Sequence, residues 1–191
     1  MRLILASKSP RRIEMLQDLG LVFEVIPSND DESIKSYKSN ADYVKRLARA
    51  KALDVYKNNK DALVLGFDTL VFYKNEVMGK PHTKEECIKM IKELSGNTHE
   101  VITGCYMISK DFKKSFSSKA YVEFLDISDS EIENYANTSE PYDKAGAYAI
   151  QGYIGRFVKS VKGDIFTVIG MPKALVYKYL NEYLKERMKW F

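Results

Sequence analysis

The spacing of apolar residues alternates along the chain between the period of a strand and the period of a helix. An apolar run at residues 2–6 predicts a short buried strand. A helix is predicted from Pro10 to Leu19, with Ser9 as its N-cap, Pro10 at its first position and Gly20 just beyond its end. The chain therefore opens with a strand, a serine-bearing turn and a helix.

The rest of the sequence continues this alternation. Further strands are predicted at residues 22–26, 61–74, 98–110 and 115–126. The strand at 61–74 is predicted to end near Asp68 and then to continue or turn into a hairpin. Asn40 is predicted to cap a helix, and further helices are predicted to begin at two capping boxes (Thr83 with Glu86, Ser128 with Glu131) and at Pro172. The pattern predicts an α/β fold.

The polar segment 27–40 has no periodicity and is long enough to predict a functional loop. The helix after it is predicted to reach Lys57, and the two helices after the capping boxes to reach Leu94 and Asn137. The last helix carries an apolar stripe of Val176, Leu180, Tyr183 and Leu184. No linker separates independent domains, so residues 1–191 are predicted to be a single α/β domain.

Composition narrows the function only slightly. The chain has 191 residues and a formal net charge of +4, with basic residues spread along it, which suits an anionic small molecule as well as a polyanion. Cys87 and Cys105 lie far apart, and His82 and His99 lack metal-ligand spacing, so neither a disulfide framework nor a zinc site is predicted. With no export signal and no apolar span, the protein is expected in the cytoplasm.

Two arginines, Arg11 and Arg12, stand in what is predicted to be an exposed first turn of the first helix. The helix dipole disfavours a cation there by a few tenths to about 1 kcal/mol, so an anion is expected to compensate. The hydroxyls of Ser7 and Ser9, free backbone N–H groups and two guanidinium groups would point to one place, as in phosphate-binding turns. The alternative is a simple cap with solvated arginines; the complete S-x-S-P-R-R pattern favours phosphate.

Two further charged residues interrupt apolar patterns. Lys51 shares a helix face with Val44 and Leu47, and the sequence alone favours a side chain that reaches solvent over one that points at an anion. Asp68 follows the apolar run ALVLGF, at the place where open α/β sheets bind ligands. A turn that caps the strand end is an equal alternative for Asp68.

Weaker candidates lie in loops. Asp30, Asp31 and Glu32 offer oxygen ligands for Mg²⁺, although most such clusters are simply solvated. Lys80 precedes Pro81 in a rigid turn that either aims the lysine at a phosphate or leaves it exposed.

The stretch EPYDKAGAYAIQG, residues 140–152, predicts a close approach of two backbone segments followed by a strand. Its Gln151 has amide donors and an acceptor that suit a nucleobase edge. A side chain that bridges backbone groups is the somewhat favoured alternative.

Taken together, these stretches resemble the Maf family of nucleoside triphosphate pyrophosphatases. LILASKSPRR, GFDTLV, MGKPHT, LSGNTHEVITG, DKAGAYAIQG and GDIFTVIGMP occur in the family's order and spacing and cover nearly the whole chain. The resemblance implies a mixed central sheet with flanking helices and two lobes around a cleft, similar to inosine triphosphate pyrophosphatases. It also implies a homodimer, a nucleoside triphosphate substrate, Mg²⁺ or Mn²⁺, and a house-cleaning role in the nucleotide pool. No membrane association and no stable nucleic-acid binding are expected.

The resemblance also implies roles for particular residues. Asp68 matches the proton acceptor, and Asp68 and Glu32 are the expected metal ligands. The remaining catalytic groups and the expected substrate contacts are Lys51, Lys80, Ser7, Ser9, Arg11, Arg12, Thr69 and Gln151.

Three of these positions, Arg11, Thr69 and Gln151, match the dTTP/UTP branch of the family rather than the 7-methyl-GTP branch. A neutral amide can pair with a uracil or thymine edge. Phe67 replaces the small residue that the family usually has before the aspartate, and is expected to narrow the pocket.

Two other functions remain open at this point. A nucleic-acid- or division-protein-binding septum regulator without catalysis would use Arg11, Arg12 and the basic last helix. That helix mixes acidic with basic residues, so packing explains it better. A phosphatase that releases orthophosphate would be distinguished by its inorganic product.

Overall fold

The computed structural model of the protein describes residues 2–29 and 36–188. Within them the chain forms seven strands, six α-helices and three 3-10 helices. The strands are β1 (Leu3–Leu5), β2 (Glu24–Val25), β3 (Leu63–Tyr73), β4 (Glu76–Met78), β5 (Thr98–Ile108), β6 (Lys113–Phe124) and β7 (Val158–Gly163). The helices are α1 (Pro10–Asp18), α2 (Asn40–Tyr56), α3 (Lys84–Leu94), α4 (Asp129–Ala136), α5 (Ile165–Ile169) and α6 (Lys173–Met188). The 3-10 helices are Pro141–Asp143, Ala145–Ala147 and Tyr153–Phe157.

The strands form one mixed sheet. Its order is β2-β1-β3-β5-β6-β7, with β4 paired to β3. Strand β1 runs parallel to both β2 and β3, so that Ile4 lies opposite Glu24 on one side and Val64 on the other. The pairs β3–β4 and β6–β7 are antiparallel. The predicted α/β class, with a mixed sheet and flanking helices, is confirmed.

The chain divides into two compact units. Unit 1 comprises Met1–Asp68, Thr103–Ser118 and Gly170–Phe191, and unit 2 comprises Thr69–Ile102 and Lys119–Ile169. Strands β3, β5 and β6 each contribute residues to both units.

The core of unit 1 includes one face of the sheet packed against α2. Its buried members include Ile4, Ala48, Ala52, Val55 and Val64. Helix α6 also packs into unit 1 through Val176, Leu180 and Tyr183, as its stripe predicted, but Leu184 is exposed. Aromatic rings of β6 and the turn before it meet this helix, with Phe112 against Tyr183 and Phe116 against Tyr179. Packing therefore accounts for the apolar face of this basic helix.

Unit 2 has its own core, built from α3, α4 and the parts of the sheet in this unit. Fully buried side chains from these elements include Ile91, Leu94, Val122, Phe124 and Tyr135. The segment that carries Gln151 also packs against this core, through Ala147, Tyr148 and Ile154.

The predicted helix starts are confirmed with two corrections. Ser39, rather than Asn40, caps α2, because the Ser39 hydroxyl accepts from the Asp42 N–H at 3.2 Å. The hydroxyl of Ser128 accepts from the Glu131 N–H at 3.3 Å, but the Glu131 carboxylate bonds the Tyr153 hydroxyl instead of the helix start. In the first box the Thr83 hydroxyl accepts from the Glu86 N–H, but the Glu86 carboxylate accepts from the backbone N–H of His82 instead of that of Thr83. Both capping boxes are therefore only half formed.

The strand predictions need three corrections. Strand β3 does not end near Asp68; it continues to Tyr73, as one of the predicted alternatives had it, because the residues after Asp68 are also apolar or β-branched. A hairpin follows, with Lys74 and Asn75 at φ of 50° and 66°, which is typical of a tight two-residue turn. No strand follows the DKAG sequence, where 3-10 turns form instead. Strand β7, in the polar sequence VKSVKG, was not predicted.

Candidate active site

The turn after β1 is held together by the side chains of Ser7 and Arg12. The hydroxyl oxygen of Ser7 accepts from the Ser9 N–H at 3.3 Å and from Nη1 of Arg12 at 3.1 Å. Nε of Arg12 donates to the carbonyl oxygen of Gly170 at 3.0 Å. Ser9 occupies the N-cap position of α1 without a side-chain cap, so its hydroxyl is not committed to the helix. Ser7, the backbone of Ser9 and Arg12 therefore meet in this turn. That the Ser9 hydroxyl and Arg11 point to the same place stays a prediction.

The two arginines of α1 differ in what they contact. Both are half-buried, so the expected exposure of this first turn is wrong. The guanidinium carbon of Arg12 lies 5.7 Å from the centroid of the Phe67 ring, within cation–π range. Phe67 is fully buried, so it supports Arg12 from the core rather than narrowing an open pocket. Arg12 is thus built into unit 1, whereas Arg11 makes no ion pair with a residue that the structure describes.

Close packing brings α2 onto strand β3. A Cβ added at Gly66 would lie 2.3 Å from the carbonyl oxygen of Ala48 and 2.7 Å from the Cβ of Ala52. Side chains alternate along a strand, so Gly66 and Asp68 share the face that α2 covers. Lys51 lies between Ala48 and Ala52 in sequence. The absence of a side chain at Gly66 therefore lets the lysine of this helix reach the aspartate of this strand.

Lys51 and Asp68 form the most enclosed ion pair in the described part of the chain. Lys51 Nζ lies 2.5 Å from Asp68 Oδ1, and the two side chains are only 16% and 9% exposed. The anion near Lys51 is thus a carboxylate of unit 1. The helix pattern favoured a lysine that reaches solvent, and this prediction was wrong. The turn-capping alternative for Asp68 was also wrong, because the residue lies inside a strand. An ammonium group so close to a carboxylate favours the charged form of the carboxylate.

The acidic cluster Asp30, Asp31 and Glu32 lies outside the described residues. The residues before it are held by Asp54 of α2, which accepts from the Asn29 N–H at 2.8 Å and from the Ser28 hydroxyl at 3.1 Å. Bonds from Lys57 and then from Asn29 lower the pKa of Asp54 below its ordinary value.

The residues after the acidic cluster are also held by α2. Asp42 accepts from the Lys38 N–H at 3.0 Å, and this bond is the main cause of the lowered pKa of Asp42. The helix that carries Lys51 thus anchors the chain on both sides of the cluster, and no pattern in the sequence indicates this.

Within residues 2–29 and 36–188, no three His, Cys, Asp or Glu side chains gather as a metal site. Asp68 supplies one buried carboxylate, and one or two carboxylates together with substrate phosphates are the ligands that Mg²⁺ commonly takes in proteins. The donor set is therefore compatible with a cation brought in together with an anionic substrate.

The other candidates lie in unit 2. Thr69 is half-buried in β3, and Lys80 is exposed between β4 and the buried Pro81. Gln151 is exposed in a turn closed by the Gly152 N–H, which donates to the Ala149 carbonyl at 3.0 Å. Its side chain therefore points away from the core.

The predicted close approach of backbone in unit 2 is confirmed. The N–H of Gly146 donates to the carbonyl of Gly79 at 2.9 Å, and Gly146 has a φ of 67° that favours glycine. This bond ties the segment bearing Lys80 to the segment bearing Gln151.

Comparison with known proteins identifies the family. A sequence model described as Maf-like protein matches residues 2–183. This chain belongs to the Maf-like family. A relative named dTTP/UTP pyrophosphatase from Bacillus cereus (strain G9842) is 42% identical over 182 residues, 95% of each chain. A relative of the same name from Bacillus anthracis is 43% identical over the same share.

Similar folds among solved structures are more distant. A HAM1 protein from Coxiella burnetii is 16% identical, with a TM-score of 0.41 over 65% of this chain and 73% of that one. The Ham1 protein of Staphylococcus aureus is also 16% identical, with a TM-score of 0.43 over 66% and 73%. No helix among the described residues of this Maf-like protein is long and apolar enough to cross a membrane.

Both histidines of this Maf-like protein form hydrogen bonds to other protein groups, and both cysteines are buried. The His82 N–H donates to Glu86 at the start of α3, and His99 is buried with Nε2 2.6 Å from the Tyr148 hydroxyl. Burial lowers the pKa of His99 to about 4. Cys87 and Cys105 are buried free thiols, and burial raises the pKa of each.

Proposed function

We propose that this chain hydrolyses dTTP and UTP to the nucleoside monophosphate and pyrophosphate, and so removes nucleotides from the pool. The observation that carries the proposal is the match of 42–43% identity over 95% of the chain to relatives named dTTP/UTP pyrophosphatase. The alternative septum regulator without catalysis receives no support from the comparisons.

The buried pair of Lys51 and Asp68 supports the chemical part of the proposal. A carboxylate kept charged by its neighbour can accept a proton from the water that attacks the α-phosphorus. The assignment of Lys80 and Glu32 to the remaining catalytic roles rests on the family pattern alone.

The turn after β1 supports the triphosphate part. Arg12 is oriented by Ser7 and Gly170, which limits the freedom that it loses when it binds a phosphate. Arg11, Ser9 and the backbone at the start of α1 supply further donors. We assign these groups to the triphosphate.

For the base, the proposal assigns Thr69 and Gln151. The exposed amide of Gln151 has both a donor and an acceptor, as a uracil or thymine edge requires. Arg11 completes the set that matches the dTTP/UTP branch.

We further propose Mg²⁺ or Mn²⁺ as the cofactor, held by Asp68, Glu32 and the substrate phosphates. Such an ion neutralises charge on the leaving pyrophosphate when bound. Loss of turnover in a chelator and its recovery with either metal test this assignment. A homodimer in the cytoplasm is also proposed, and sedimentation analysis of the purified chain tests its oligomeric state.

The decisive experiment identifies the products. Incubation with dTTP or UTP and Mg²⁺ is expected to release pyrophosphate and the monophosphate in equal amounts. A diphosphate with orthophosphate would instead show a phosphatase that cleaves the terminal bond, and the proposal would be wrong. Duplex binding without turnover would favour the septum regulator.

A further inference from the structure

One carboxylate in unit 2 is bonded to the start of the 3-10 helix Tyr153–Phe157, which directly follows the turn that carries Gln151. Glu140 precedes the first 3-10 helix, and its Oε1 and Oε2 accept from the Tyr153 N–H at 3.1 and 3.2 Å. Tyr153 follows Gln151 by two residues. The backbone two residues after Gln151 is therefore fixed by a charge-assisted hydrogen bond.

The turn is shaped to admit this carboxylate. A Cβ added at Gly152 would lie 1.8 Å from Oε1 and 2.6 Å from Cδ of Glu140. A residue with a side chain at this position would push the carboxylate away. Glycine at 152 is therefore needed for the close approach of Glu140, next to the residue assigned to the base.

Helix α4 holds the same segment from a second direction. The Tyr135 hydroxyl donates to the Ala147 carbonyl at 2.9 Å and lies 3.4 Å from Glu140 Oε1. Burial, and then the charge of Glu140, raise the pKa of Tyr135, so the hydroxyl keeps the proton it donates. Ala147 has a φ of 61°, which is strained for a residue with a Cβ.

The side chain of Tyr153 is fixed as well. Its ring stacks on that of Tyr135 with centroids 5.6 Å apart, and its hydroxyl bonds Glu131. The guanidinium carbon of Arg156 lies 3.9 Å from its centroid on the ring face. The surroundings therefore impose the conformation of the segment 147–153, and Glu140 bonds its last backbone N–H, two residues after Gln151.

We propose that Glu140 is a positioning residue that fixes the turn bearing Gln151 and thereby sets the preference of the site for pyrimidine nucleotides. Glu140 acts on the nucleotide through Gln151. The inference rests on the proposed function and deepens it, since it names what orients the side chain that reads the base.

The test compares kcat and KM for dTTP, UTP and GTP in the wild type, Glu140→Ala and Glu140→Gln. Glu140→Ala is expected to raise KM for dTTP and UTP about five- to tenfold, the scale of one hydrogen bond, with kcat within about twofold. The preference for dTTP over GTP should fall by the same factor. Glu140→Gln keeps one amide oxygen as an acceptor and should recover part of the loss.

A double-mutant cycle shows whether Glu140 acts through Gln151. The variant Glu140→Ala with Gln151→Ala should be no worse on dTTP than Gln151→Ala alone. Gly152→Ala, which displaces the carboxylate without removing it, should reproduce Glu140→Ala. Glu123→Ala is the matched control, since Glu123 also accepts two hydrogen bonds in unit 2, but from the side chains of Lys159 and Ser160 of β7.

Each outcome decides a different point. A wild type that releases no pyrophosphate from dTTP or UTP overturns the proposed function, and with it this inference. An active wild type with an unchanged preference in Glu140→Ala, or with additive losses in the double variant, overturns the inference alone. If Glu140→Ala fails to fold, the preference for dTTP over GTP in Glu140→Gln and Gly152→Ala tests the inference instead. Faster hydrogen exchange at the Tyr153 N–H in these variants supports the positioning role independently of turnover.

Discussion

Breaking the Lys51–Asp68 pair should separate what the pair does for stability from what it does for catalysis. In Asp68→Asn the volume is kept and the amide oxygen can still accept from the ammonium group, but the charge is lost. In Lys51→Met the carboxylate loses its cation. The combined change of Lys51→Met with Asp68→Leu replaces both charges by apolar side chains of similar size.

The magnitude follows from the geometry. At 2.5 Å, the attraction of two unit charges is about 7 kcal/mol with an effective dielectric constant of about 20. Desolvation of each ion costs several kcal/mol and offsets most of this attraction. When one partner is removed, the other stays buried without an opposite charge, and its desolvation cost is no longer offset. Each single variant should therefore lose about 3 kcal/mol of unfolding free energy, and Asp68→Asn somewhat less. The apolar double variant should recover most of the loss, because neither charge remains buried.

Urea unfolding and pyrophosphate release, measured on the same preparations, are the assays. Activity should fall at least about 10²-fold in kcat for Asp68→Asn and should not return in the stabilised double variant. Asp61→Asn is the control, because its contact with Arg2 is exposed to solvent, where an ion pair contributes little to stability. A double variant that is less stable than both single variants would refute the energetic argument, and one that turns over dTTP normally would refute the catalytic assignment.

Two further predictions concern the arginines and the buried histidine. Arg11→Ala and Arg12→Ala should each lower kcat/KM about 10²-fold. Only Arg12→Ala should also lower the melting temperature, because Arg12 bonds Ser7 and Gly170. Equal melting temperatures for the two variants would contradict this. Because the folded pKa of His99 is about 4 against an ordinary 6.5, the unfolded chain binds the extra proton, so unfolding free energy should fall by about 2 kcal/mol from pH 7 to pH 5. In urea titrations, His99→Gln should lose this part of the pH dependence of the unfolding free energy. If the unfolding free energy of the variant still falls with pH as in the wild type, the pH dependence does not come from His99.

The sequence predicted the order of most elements because their signals are local. Pro10 at the start of α1 and the Thr83 hydroxyl that caps α3 act within one turn of chain, and both are present in the structure. The wrong predictions occur where contacts between residues distant in sequence determine the structure. The end of β3 was placed near Asp68 because a charged residue there follows the apolar run ALVLGF. A buried carboxylate is costly when unpaired, but Lys51, seventeen residues earlier, offsets that cost inside the strand.

The same distinction holds within the candidate site. The turn bearing Ser7 and Arg12 was predicted because its residues lie within one short stretch. The anchoring of Arg12 on Gly170 and of the Gln151 turn on Glu140 was not, because each joins residues whose proximity only the fold creates. One local signal was available: a glycine directly after Gln151 indicates a close approach, although not by which group.

Two locally unfavourable features lie close together here: a glycine within strand β3, Gly66, and the buried Lys51–Asp68 ion pair. Gly66 weakens the strand that it interrupts, and the ion pair occupies a place where apolar residues of similar size would often be as stable or more so. Stability alone therefore does not explain them. Gly66 lets the backbone of α2 approach β3, and that approach delivers the ammonium group to the carboxylate. Departures from local preference that cooperate in this way are expected at functional sites, where chemistry rather than folding sets the requirement.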